Sequence, residues 1–218
     1  MDLGLWWDLY FATTCLLLSL ASISTLAYRG VETRIRDRIF ILAIISFSAI
    51  YNIYYVNIGD FFYLCKILYI VPFLINIALV DALSKWVYDS DLLGASFIIE
   101  SLLFMEVIEI LLWGGNNVDK IATLIYNNIM GALLLGGLSY AIYRISGGIG
   151  LGDVLVFAIV GSMGGLADGL IVFFLSFISG GLYCIIILIN TGKKDGLIAF
   201  TPFISIGFIM TYEIIKLI

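Results

Sequence analysis

Two aspartates carry the chemistry this chain has to offer. Asp153 ends the stretch Gly148-Ile149-Gly150-Leu151-Gly152-Asp153 and is followed at once by the apolar run Val154 to Gly161. A carboxylate at the mouth of an apolar helix is costly near lipid and tends to be kept for function. Gly150 and Gly152 predict a loop whose backbone turns easily and approaches another chain closely, letting Asp153 reach a partner. Asp81, 72 residues earlier, lies near the end of another apolar stretch, in Leu79-Val80-Asp81-Ala82-Leu83-Ser84-Lys85. Two carboxylates brought together do not both ionise easily, so one keeps a proton. The ionised one takes a proton from water while the other donates to a peptide carbonyl, the division of labour of aspartic proteases. That chemistry calls for no metal and no cofactor, and it suits a chain without a single histidine. The plain alternative for Asp81 is a helix-end ion pair with Lys85 at i+4.

The elements that must position these residues are membrane helices. Of 218 residues, 62% are hydrophobic and only 12% charged, and the mean hydropathy is +1.13. Apolar runs of bilayer-spanning length fall at about 5–28, 39–58, 61–84, 92–113, 121–143, 153–167, 169–190 and 197–217. The fold class is therefore all-α, a polytopic membrane helical bundle of about eight transmembrane helices. The sixth is short, bounded by Asp153 and a turn at Gly164-Gly165-Leu166-Ala167-Asp168. Pro72 is a candidate kink in the third, because it lacks a backbone donor. A net charge of −5 excludes nucleic acid as a partner class; membrane lipid is the partner every span implies. Cys15, Cys65 and Cys184 form no CxxC pair and read as buried structural thiols.

Eight of the eleven Lys and Arg (Arg29, Arg34, Arg36, Arg38, Lys85, Arg144, Lys193 and Lys194) fall on one side of this arrangement. The positive-inside rule makes those loops cytoplasmic and the N-terminus external, so Asp81 and Asp153 both face the cytoplasm. Asp37, Asp89, Asp91 and Asp195 fall in cytoplasmic loops. Glu100, Glu106 and Glu109 share the fourth helix. Glu106 and Glu109 lie on one face at i,i+3, with Lys66 or Lys120 as candidate partners.

Three stretches carry a family resemblance. The first is Asp81-Ala-Leu-Ser-Lys85-Trp-Val87-Tyr-Asp89. The second is Gly150-Leu-Gly152-Asp153-Val, with Ala158-Ile-Val-Gly161 behind it. The third is Lys193-Lys194-Asp-Gly-Leu-Ile-Ala-Phe-Thr-Pro202-Phe203-Ile-Ser-Ile-Gly207. In type and order they resemble the first-aspartate motif, the GxGD helix and the last helix of the type IV prepilin peptidases, including the archaeal preflagellin (archaellin) peptidases. The family often has a lysine shortly after GxGD, where this chain has Val154-Leu155-Val156. The large cysteine-containing insertion of many bacterial members is missing, as in the short archaeal form.

The resemblance implies a membrane aspartic endopeptidase without cofactor or metal. Asp81 and Asp153 would be catalytic, Gly150 and Gly152 would shape the active-site loop, and Lys85 and Pro202 would support it. It implies a six-helix peptidase core at 61–218 behind a two-helix N-terminal extension at 1–60. The substrate it implies is a precursor protein with a basic leader, the class III signal peptide, ahead of a hydrophobic helix. Two other readings compete. Presenilin and signal-peptide-peptidase proteins share GxGD, but their first aspartate lies in the helix just before it, and here 121–143 contains no carboxylate. A transporter or assembly protein would instead use Glu100, Glu106 and Glu109.

Overall fold

The computed structural model describes residues 23–30, 61–113, 117–191 and 198–214, with positions 13, 17, 20, 21, 43 and 44 besides. Among the described residues every regular element is helical, in line with the all-α expectation. The helices are α1 (Phe61–Ser84), α2 (Asp89–Trp113), α3 (Val118–Ser146), α4 (Leu151–Thr191) and α5 (Thr201–Ile209), the last continued by a π turn, Met210–Ile214. Most of the two expected N-terminal spans lies outside the described residues.

Three segments are long and apolar enough to cross a membrane: Cys65–Ser84, Val118–Ser146 and Leu151–Asn190. Their outer faces present large apolar side chains, among them Leu133 (65% exposed) and Ile189 (77%). Surfaces of that kind belong against lipid. α2 is as long as a span but carries Asp89, Asp91, Glu100, Glu106 and Glu109 within its 25 residues. Two of these acids find partners on neighbouring helices. The Lys66 ammonium of α1, itself buried, meets Glu106 at 2.7 Å, and the Ser162 hydroxyl of α4 donates to Glu100 at 3.0 Å.

α4 is two arms, not one rod. Gly165 takes φ 69° and ψ −165°, a conformation open to glycine and closed to other residues. In a straight helix Phe157 and Phe173 would stand about 24 Å apart; their ring centroids are 5.1 Å apart. The arms therefore fold back antiparallel about Gly165, at the place where the glycine pair predicts a turn. Asp168, expected in that turn, instead lies in the second arm.

α3 packs on this hairpin through bare backbone. A Cβ at Gly161 would stand 2.3 Å from the Gly131 carbonyl oxygen, and one at Gly131 would stand 2.2 Å from the Gly161 carbonyl oxygen. Small residues at such a crossing let helix axes approach closely, the usual device where lipid offers no hydrophobic drive between helices.

Several local expectations are corrected. The left-handed turn before Asp153 falls on Gly147 (φ 60°), which ends α3 by donating to the Tyr143 carbonyl; Gly150 and Gly152 have ordinary negative φ. α2 begins at Asp89, so Asp89 and Asp91 form its first turn and are not loop residues. Cys184 is exposed whereas Cys65 is buried, because position 184 faces outward from the second arm of α4. Pro72 lies inside α1, the placement that its reading as a candidate kink requires.

Candidate active site

Asp81 is one turn from the end of α1. That end is made by Lys85, which adopts φ 59° and donates its amide to the Asp81 carbonyl at 2.8 Å, the single-bond left-handed cap. The conformation costs a non-glycine residue about 1 kcal/mol, and it turns the chain sharply into Trp86-Val87-Tyr88. Lys85 is solvent-exposed, and among the described residues its ammonium closes no ion pair with Asp81. Its place is therefore in the turn.

Asp153 is the third residue of α4, and its Oδ2 accepts the Gly150 amide at 2.9 Å. A carboxylate reaching back from the third helical position to the residue before the helix is half of a capping box. The two glycines of the stretch make room for this. A Cβ at Gly150 would stand 3.3 Å from the same Asp153 oxygen, and one at Gly152 would be driven to 2.8 Å from Val87 Cβ. Gly152 thus lets the loop after α1 lie directly on the start of α4. Clearance, not turn geometry, is what this structure requires of both.

The two aspartates meet through a residue that sequence reasoning did not assign to the site, Thr201. Its amide donates to Asp81 Oδ2 at 3.1 Å, and its hydroxyl donates to Asp153 Oδ1 at 2.7 Å. Threonine measures only about 3 Å from amide nitrogen to hydroxyl oxygen, so both carboxylates lie around one side chain. Asp81 and Asp153 are each 6% exposed and Thr201 is fully buried. Thr201 opens α5, whose first amides have no partner within the helix. The residue before it, Phe200, supplies no side-chain cap, and Asp81 from α1 takes that role. The signal was present as a threonine directly before Pro202, at a helix start where proline is at home. Pro202 itself sits in that first turn, with no amide to satisfy.

Aromatic packing sets the position of Thr201. The Phe200 ring lies 4.9 Å from Phe177 on the second arm of α4 and 6.1 Å from Phe157 on the first. Ser205, one turn into α5, donates to the Leu74 carbonyl of α1 at 3.2 Å. Each aromatic pair adds about 0.5–1.5 kcal/mol beyond the area it buries. The start of α5 is thus wedged between α1 and the α4 hairpin.

The loop from α1 to α2 is held from outside as well. Arg29 reaches both oxygens of Asp91, its second nitrogen at 2.5 Å from Oδ1. It also donates to Ser90 Oγ at 3.0 Å, and its guanidinium lies 4.5 Å over the Tyr88 ring. The hydrogen bonds to Asp91 hold the Arg29 guanidinium above its ordinary pKa. Asp91 is buried and committed to this pair, whereas Asp89 is exposed.

Set against family models, characterised proteins and solved structures, the chain matches none. Among the described residues no three His, Cys, Asp or Glu side chains gather closely enough to hold a metal ion. What the arrangement brings together is two nearly buried carboxyl groups and a hydroxyl, fastened by the Gly150 amide and by the amide and hydroxyl of Thr201.

Proposed function

We propose that the chain is a membrane-embedded aspartic endopeptidase of the prepilin- or preflagellin-peptidase type. It cuts a basic leader from a precursor just before that precursor's hydrophobic helix. The observation that carries this reading is the meeting of Asp81 and Asp153 around Thr201 at one end of a helical bundle. One carboxylate takes a proton from water while the other donates to the scissile carbonyl, and the proton then passes to the leaving amine. The protons belong to the pair, which titrates as a unit. The bundle has eight transmembrane helices, two of them ahead of a six-helix core. The basic loops set the N-terminus outside and the aspartates at the cytoplasmic face.

The test is cleavage, in membranes, of a precursor carrying a basic leader and a following apolar helix. Wild type is compared with Asp81→Asn and Asp153→Asn, which keep size and lose the ionisable group. Wild type cleaves, and each variant is reduced by a factor of about a thousand or more while still folded. An inert wild type, or an Asp81→Asn enzyme with full activity, would overturn the reading.

A further inference from the structure

Beside the aspartates, on another face of the first arm of α4, lies a cavity of about 520 Å³ that neither aspartate lines. Its walls are stripes of α2 and of the first arm of α4, with Ala132 of α3 between them. The stripes run in the same direction. Asp89 and Leu155 mark one end, and Glu100 with Ser162, joined by their 3.0 Å hydrogen bond, mark the other. Eleven residues of α2 separate Asp89 from Glu100, a rise of about 16 Å. Leu155 is two residues past Asp153, so the groove opens about 3 Å along the helix from the dyad. From there it runs away from the dyad's end of the bundle.

We infer that this groove holds the apolar helix of the precursor beyond the scissile bond, with a basic residue of the precursor against Asp89. The inference rests on the peptidase reading above and adds the place where substrate binds. The size is that of a ligand site, and among the described residues the lining is apolar except for two carboxylates, Asp89 and Glu100, and two serines, with no lysine or arginine. A surface of that charge accepts an apolar segment bearing a cation. It disfavours an anionic lipid, whose phosphate would face the exposed Asp89. Asp91, the neighbouring acid, is already occupied by Arg29, so Asp89 is the carboxylate that meets the incoming chain at the mouth. A chain with its scissile bond at the dyad is led into the groove by the direction of α4 itself.

The test places a benzophenone-bearing side chain at Leu93, a groove-lining residue that is 70% exposed, in the Asp153→Asn protein, which leaves precursor uncut. Leu133, an exposed apolar residue of α3 outside the groove, is the control position. Irradiation in membranes gives a precursor adduct from position 93 and none from 133. In the active protein, Ser96→Trp fills the groove and raises KM for the precursor about tenfold. A short peptide spanning only the cleavage site is cut at the wild-type rate. Asp89→Lys, an exposed substitution, raises KM by a similar factor, and a precursor with acidic residues in its leader recovers the loss. An adduct with phospholipid in place of precursor would overturn the inference, as would an unchanged KM in both variants. A wild type that forms the adduct without cleaving would sink the peptidase reading and leave the groove standing. Cleavage without an adduct would do the reverse.

Discussion

At the scale of single residues, Thr201 joins the two halves of the site, and its two donors are separable. The amide belongs to the backbone and survives any side chain, so the bond to Asp81 persists in every variant except proline. The hydroxyl bond to Asp153, at 2.7 Å between buried groups, is charge-assisted when the carboxylate is ionised and contributes about 1.5–3 kcal/mol. Thr201→Val keeps the shape and removes that donor. We expect kcat to fall about tenfold to a hundredfold, the equivalent of that energy, with KM unchanged, and Thr201→Ser to restore most of the rate. A parallel rise in KM with constant kcat would mean that the hydroxyl binds substrate instead of ordering the dyad.

At the scale of elements, the site depends on how closely α3 can approach the α4 hairpin, because α4 delivers Asp153. Replacing glycine by alanine in a helix interior gains about 0.8–1 kcal/mol from backbone entropy alone. At Gly161 that gain is outweighed, since the added carbon would stand 2.3 Å from a backbone carbonyl oxygen, and overpacking costs about 1–3 kcal/mol. At Gly137, on the same helix α3 as Gly131, nothing lies within 4 Å of the added carbon. Thermal unfolding in detergent should therefore show Gly161→Ala destabilised and Gly137→Ala unchanged or stabilised by up to about 1 kcal/mol. Equal effects at the two positions would contradict the backbone-to-backbone crossing.

At the scale of the whole molecule, the N-terminal segment is tied into the structure that carries the dyad. Leu26 is fully buried in the hydrophobic core, Asn76 of α1 donates to the Thr25 hydroxyl at 2.9 Å, and Arg29 grips Asp91. The side chains of that pair are only 15% and 10% exposed. Removing one partner leaves a largely desolvated charge, at a cost of about 3 kcal/mol. Arg29→Ala and Asp91→Ala should each lower the unfolding midpoint, and the swap Arg29→Asp with Asp91→Arg should recover part of the loss. Because the gripped residues lead through Val87 to Gly152, cleavage should fall with stability in the single variants and return in the swap. Single variants as stable as wild type would show that the pair is only a surface contact.

Much of this was legible in the chain. Apolar run length alone marks the helices, and the glycine pair at 164–165 marks the break in α4, because a span that long must turn. Asp81 and Asp153 stand out because carboxylates are rare beside such runs. Composition also allows for Lys66 with Glu106, since a buried ammonium needs an anion. What the sequence leaves open is which helix faces meet. These helices are apolar nearly all round, so no amphipathic stripe tells an inward face from a lipid-facing one. Cys184 on an outer face and Asp91 under Arg29 follow from packing alone. So do the clearance of Gly152 for Val87 and the placing of Thr201 between aspartates 120 and 48 residues away in sequence. Run length and charge are properties of single segments and can be read from order along the chain. Contacts between segments depend on how α1, the α4 hairpin and α5 rotate against each other, which only their mutual packing decides.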